Sequence, residues 1–232
     1  MKHHPSILRS ASPWFPVIAL ILLDFNSSFA GDIHGRVEIL QAPRNQQEAA
    51  SPWARQRSIE GAETVEPAGD AIIAVVYLEA NNGLERGAIP VEHPQVNQKG
   101  MMIVPHITPV VVGTTVDFPN SDNVYHNLFS LSPARTFDLG RYGQGKSKSI
   151  TFKKEGEVRI FCDIHPSMSG VVLVLPNHFF SEVKADGLYE IKDVPTGTWR
   201  IHAWHETLNE QIKTVTVPDT GAVAVDFILG VR

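Results

Sequence analysis

The stretch Phe161-Cys-Asp-Ile-His-Pro-Ser-Met168 concentrates three chemically distinct side chains at the end of one apolar run. Val158, Ile160 and Cys162 alternate with Arg159 and Phe161, the period of a strand that turns one face, and the thiol, inward. Pro166 stiffens the tight loop that follows. Val171 to Leu175 reads as the strand leaving that loop. His165 and Met168 stand three and six positions beyond Cys162, so a short loop can fold both side chains back onto one centre.

Working outward, the same grammar of short strands and turns continues in both directions. Ile33–Leu40, Ala71–Leu78, Met101–Val104, Val110–Phe118 and Ser149–Phe152 precede the stretch. Glu182–Val183, Tyr189–Ile191, Trp199–Trp204, Lys213–Val217 and Val223–Leu229 follow it. Gly, Pro, Asn or Asp separates most of them, with strong turn signals at Asp186-Gly187 and Pro195-Thr196-Gly197. No window sustains a helical period beyond two turns, so the expected fold class is all-β. Residues 41–70 are rich in Pro, Gln, Glu, Ala and Arg and read as a long loop, for which a solvated insertion is the economical account.

Composition narrows the function classes. With 20 basic and 25 acidic residues the net charge is −5, which gives no support for nucleic-acid binding. A hydrophobic fraction of 43% suits a folded chain. Residues 1–30 have the build of an export signal: Lys2 and Arg9, an apolar run Trp14–Leu23 interrupted only by Pro16, then Ser28 and Ala30 ahead of a cut. The run is far short of the roughly 20 residues of a membrane-spanning helix, so cleavage is favoured over an uncleaved anchor, and no membrane insertion is expected afterwards. Removal leaves 202 residues with net charge −6, expected to be periplasmic or secreted. The one cysteine excludes an intrachain disulfide and a thiolate-only zinc site. In an oxidising compartment a lone thiol is buried, paired between chains or bound to metal.

His126, within Asn120-Ser-Asp-Asn-Val-Tyr-His-Asn-Leu-Phe-Ser130, completes a donor set with Cys162, His165 and Met168. Two imidazoles, one thiolate and a weak axial thioether are the donors of a blue-copper site. Zinc also accepts two His and one Cys, but the soft thioether favours copper. The remaining histidines lack such company. His202 and His205 are three apart in an expected strand, so they point to opposite faces and read as structural or solvated. Phe152, Phe161, Trp199, Ile201 and Ala203 read as core, and Lys146, Lys148, Lys153 and Lys154 as a solvated basic stretch.

These residues resemble the cupredoxins, the plastocyanin-type blue-copper family. The Cys-x2-His-x2-Met loop is most similar to that of amicyanin. The wider run from Val112-Gly-Thr-Thr-Val-Asp-Phe-Pro-Asn120 through Phe137-Asp-Leu-Gly-Arg-Tyr142 to Met168 resembles plastocyanin-like periplasmic proteins often labelled methylamine utilisation proteins, a label that carries nothing about a substrate. The resemblance spans residues 99–177 and implies a Greek-key β-sandwich holding one type 1 copper. His126 and His165 would be equatorial imidazoles, Cys162 the equatorial thiolate and Met168 the axial thioether. It also implies that the Asn127 backbone N–H bonds the sulfur and tunes the metal. A free-standing cupredoxin has more strands than 99–177 supply, and Ala71–Leu78 is available as one.

A second resemblance lies in Asp186-Gly-Leu-Tyr-Glu-Ile-Lys-Asp-Val-Pro-Thr-Gly-Thr-Trp-Arg-Ile201, which looks like the carboxypeptidase regulatory-like β-sandwich. Together with Ile33-His-Gly-Arg-Val37 and Ala74–Leu78 it implies a sandwich made of 31–98 and 178–232, with the 99–177 domain inserted; two tandem domains are the alternative. It does not imply peptidase activity. The expected function is single-electron transfer between redox proteins, such as a c-type cytochrome or a dehydrogenase, docking near His165. A copper-binding carrier or scaffold is the alternative. The chain has no His-x-His pair of the kind an open catalytic metal site commonly uses, so it is not expected to be an enzyme.

Overall fold

The computed structural model describes residues 30–40, 72–80 and 87–230. The proposed export signal up to Phe29 and the loop at 41–70 lie outside the described residues. The described chain is all-β. In order, the strands are β1 (Ala30–Leu40), β2 (Ala74–Leu78), β3 (Asn97–Lys99), β4 (Met102–Val104), β5 (Ile107–Val111) and β6 (Thr115–Pro119). Then come β7 (Leu128–Ser132), β8 (Arg135–Asp138), β9 (Ser147–Thr151), β10 (Gly156–Cys162) and β11 (Ser169–Leu175). The last are β12 (Phe180–Val183), β13 (Leu188–Pro195), β14 (Gly197–Trp204), β15 (Gln211–Val217), β16 (Ala222–Ala224) and β17 (Phe227–Gly230).

Strands β3 to β11 form one pair of layers. The first is a five-stranded sheet in the order β5-β11-β10-β7-β8, with β5 parallel to β11 and the other pairs antiparallel. The second joins β6 to β9 and, through isolated bridges at Gln95–Asp117 and Gln98–Asn120, to the β3–β4 hairpin. Between them lie Phe118, Phe152, Leu128, Val116, Val158, Ile160 and Val172, all fully buried. Alternation decides which side chains enter: Val158, Ile160 and Cys162 of β10 are buried, whereas Arg159 and Phe161 face out. Phe161 is 38% exposed, so the sequence expectation of a core phenylalanine is corrected by the very period that buries its neighbour Cys162.

The remaining strands pair across a long sequence gap. β1 lies between β13 and β16 and also pairs with β17, while β12-β2-β14-β15 form a second sheet. Ile33, Leu78, Ile191, Ile201, Phe227 and Leu229 fill the space between these sheets. A third apolar cluster bridges the two pairs of layers: Val75 and Trp204 on one side, Ile107, Val171, Leu173 and Leu175 on the other.

Two expected strands are each split in the structure. The run Val110–Phe118 breaks at Gly113, whose φ of +100° suits a glycine and turns the chain from β5 into β6. Val223–Leu229 is divided between β16 and β17. Strands β3, β7 and β8 have no counterpart in the sequence reading.

Candidate metal centre

Cys162 ends β10 with its sulfur turned into the core, and the loop 163–168 brings the chain back to β11. Hydrogen bonds fix this loop at its base: Cys162 N–H donates to the Met168 carbonyl at 3.1 Å and Met168 N–H to the His165 carbonyl at 3.0 Å. Two of the expected donors are therefore tied to the third through the backbone. His126 arrives from the segment before β7. Its N–H and carbonyl pair with those of Tyr142 at 3.2 and 3.0 Å, which holds its backbone from the side opposite β10.

Three donor atoms converge. His126 Nδ1 lies 3.8 Å from Cys162 Sγ, His165 Nδ1 also 3.8 Å from it, and the two nitrogens are 3.1 Å apart. A point equidistant from all three lies about 2.1 Å from each, close to metal–imidazole bonds of about 2.0–2.1 Å and slightly under metal–thiolate bonds of about 2.3 Å. The donor set therefore fits an ion. Among the described residues this is the one cluster of His, Cys, Asp and Glu with such convergence. Cys162 is buried and His126 has no exposure, whereas His165 is half-buried. The two rings meet nearly edge-on, at 65°. Met168 is 1% exposed and packs in the same core cluster as Cys162.

A group that the sequence reading missed directs His126. Asp122 Oδ2 accepts a hydrogen bond from His126 Nε2 at 2.9 Å, which fixes the ring with Nδ1 turned to the sulfur. Asp122 is itself held by the tip of the β3–β4 hairpin, where Gly100 and Met101 N–H groups donate to its two oxygens at 2.6 and 2.9 Å. Both tip residues have positive φ, which aims successive N–H groups at one anion. Desolvation pushes the Asp122 carboxyl up. The Met101 N–H, His126 and the Gly100 N–H outweigh it and hold the pKa below its ordinary value. The spacing Asp122-x3-His126 was the available signal, but it became legible only with the hairpin in place.

The structure places Asn127 in a bridging role. Its carbonyl accepts the Asp163 N–H at 3.0 Å and so links the His126 segment to the Cys162 loop. Its buried Oδ1 has no hydrogen-bond partner. His202 and His205 are not part of this donor cluster, and β14 ends at Trp204, so His202 lies in the strand and His205 beyond it. His202 stacks on Tyr77 with ring centroids 4.8 Å apart and faces Glu210 at 3.1 Å. His205 Nδ1 accepts the N–H groups of Thr207 and Leu208.

No family model matches the chain and no curated protein matches it. Solved structures do. A purple cupredoxin from Nitrosopumilus maritimus is 26% identical over 35% of this chain and 98% of its own, with a TM-score of 0.32. A reduced amicyanin variant is 24% identical over 37% of this chain and 85% of its own, with a TM-score of 0.35. A copper-containing nitrite reductase (NirK) from Thermus scotoductus SA-01 is 27% identical over 43% of this chain, which spans 26% of that enzyme, with a TM-score of 0.37.

Proposed function

We propose that this chain is a cupredoxin-type blue-copper protein that carries single electrons between redox partners. The observation that supports it is the buried triangle of Cys162 Sγ, His126 Nδ1 and His165 Nδ1, formed by side chains already held in place. Cys162, His126 and His165 would hold one copper ion, with Met168 as the weak axial donor. Bound copper supplies a one-electron couple between Cu(I) and Cu(II). The protein's part is to keep the donors still: Asp122 fixes the His126 ring, Asn127 ties the two ligand segments and the Met168 carbonyl ties the loop to Cys162. A frame that moves little on gaining or losing an electron suits rapid transfer. His165, the more exposed of the two imidazoles, is the edge we assign to a partner such as a c-type cytochrome or a dehydrogenase.

The build of residues 1–30 supports an extracytoplasmic location. Among the described residues no helix is long and apolar enough to cross a membrane. We assign β1, β2 and β12 to β17 to one discontinuous sandwich of carboxypeptidase regulatory-like type with β3 to β11 inserted; Val96 and β3 pack with the inserted layers, so the boundary falls before the expected residue 98. The pairing of β1 with β13, β16 and β17, and of β2 with β12 and β14, supports that division. The family resemblance itself rests on turn and strand pattern. This extra sandwich favours the second reading, a copper-binding carrier or scaffold, because a simple shuttle has no need of it. We assign no catalysis to the chain.

An absorption spectrum of the Cu(II)-loaded protein tests the proposal. The expected result is an intense visible band from thiolate-to-copper charge transfer, lost in Cys162→Ser. A colourless copper-loaded protein overturns it. A reversible one-electron couple with rapid self-exchange supports the shuttle; copper loss to an apo-acceptor without redox change supports the carrier.

A further inference from the structure

His106 links the two pairs of layers at a point directly behind the ligand loop. Its ring Nδ1 donates to the Ser169 carbonyl at 3.0 Å, and its own carbonyl accepts the Val171 N–H at 2.7 Å. It therefore grips the two residues that flank Gly170, immediately after Met168. The other ring nitrogen, Nε2, donates to Glu206 Oε2 at 2.7 Å. Glu206 belongs to the flanking sandwich, in the loop after β14. Arg159 of β10 adds a second tie to this loop by donating to the Glu206 carbonyl at 3.0 Å. Both ring nitrogens face oxygen acceptors, an arrangement that the imidazolium satisfies in full and in which its bond to Glu206 is charge-assisted. His205 lies beside the pair and lines the same cavity of about 390 Å³.

The mechanical consequence runs through the backbone. Met168 gives its N–H to His165 and its carbonyl to Cys162, so its main chain is part of the frame that sets the donors. Ser169 is the next residue, and its carbonyl is held by a ring whose position Glu206 fixes. From this chain of contacts, and resting on the copper reading above, we infer that His106 and Glu206 are positioning residues through which the flanking sandwich sets the axial Met168 and so tunes the metal. The axial donor of such a site is long and weak, which makes the reduction potential sensitive to small displacements that leave the equatorial donors in place. This gives the sandwich a role at the centre that an appended adapter would not have.

The test uses the copper-loaded full chain with Glu206→Ala, His106→Gln and Val75→Ala. Val75 is fully buried in the junction cluster and has no part in the hydrogen-bonded strut, so its truncation reports loss of packing alone. Glu206→Ala and His106→Gln should shift the ratio of oxidised to reduced copper at a fixed ambient potential. The shift should be about two- to tenfold, smaller than the about 10–100-fold loss of metal affinity or activity on removing a partner in direct contact with a ligand. The visible band should persist in both. Val75→Ala should lower the melting temperature and leave the ratio unchanged. An unchanged ratio in both strut variants overturns the inference, as does an equal shift in Val75→Ala. If the wild-type protein yields no copper band, it is the copper reading that fails, and the two failures are told apart by that control.

Discussion

The core around Phe118 and Phe152 and the core around Ile33 and Phe227 each lie between two layers of short strands, and each shields its large side chains from water. Their contents differ. The first also encloses the thiol of Cys162 and the thioether of Met168, with His126 and His165 turned toward the sulfur. The apolar side chains of the second, among the described residues, are aliphatic and aromatic and include no sulfur. The same sheet-on-sheet construction thus serves as a plain frame in one region and as a donor cage in the other. The difference lies in a few side chains at strand ends and in the loops that follow, which is where function separates from fold.

The largest effect should come from removing the donor that makes the regions unlike. Cys162→Ser should abolish the visible band entirely and leave the near-ultraviolet circular dichroism of Trp199 and Trp204, both in the flanking sandwich, unchanged. A change at those tryptophans would mean that the cage supports the plain frame as well. Next, Phe227→Ala removes a side chain 1% exposed from the plain core and should cost about 3–5 kcal/mol. Because the cluster of Val75, Ile107, Val171, Leu173, Leu175 and Trp204 spans the junction, copper absorbance and tryptophan fluorescence should fall in one thermal transition. Two separate transitions would make the regions independent. Smaller again is Asp122→Ala, which frees the His126 ring and should weaken copper binding about 10–100-fold in a competition titration, with the band kept. Met168→Leu should keep the colour and raise the potential; an unchanged potential removes Met168 from the ligand set.

The cage was far more legible in the sequence than its supports. Cys162, His165 and Met168 lie within seven residues, and strand alternation turns the thiol inward; the same period turns Phe161 out, against its expected place in the core. Asp122 could not be read in this way. Its role depends on the tip of a hairpin whose three-residue strands are too short to carry a period, and on a carboxylate captured by backbone N–H groups that have no sequence signature. Glu206 and His106 are one hundred residues apart and meet only because the chain returns to pair β14 with β2. The split of Val110–Phe118 turned on the single positive-φ glycine inside a run in which six of the other eight residues are β-branched. Period reports which face is buried; it says nothing of which distant loop will come to rest there.

The smallest effect concerns the junction between the regions, and its sign follows from two titrations. The hydrogen bond to Glu206 holds His106 above its ordinary value of 6.5; burial opposes this, and the charge of Glu206 and the Ser169 carbonyl add to it. Hydrogen bonding to His106 holds Glu206 below 4.5 against desolvation, with the charges of His106, Arg159 and His205 assisting. A histidine whose pKa is raised by folding contributes stability that is complete below its unfolded value and is lost as the pH climbs through the folded one. A glutamate whose pKa is lowered contributes above its unfolded value and is lost as the pH falls through the folded one. Both contributions are present between about pH 4.5 and 6.5, so the strut should be firmest there and weaken on either side. Both side chains are partly exposed, which keeps the effect small and sensitive to salt. The expected outcome is a melting temperature that falls between pH 6.5 and 8.5 more in the wild type than in His106→Gln. Parallel pH profiles for the two proteins would show that this histidine does not bind one region to the other.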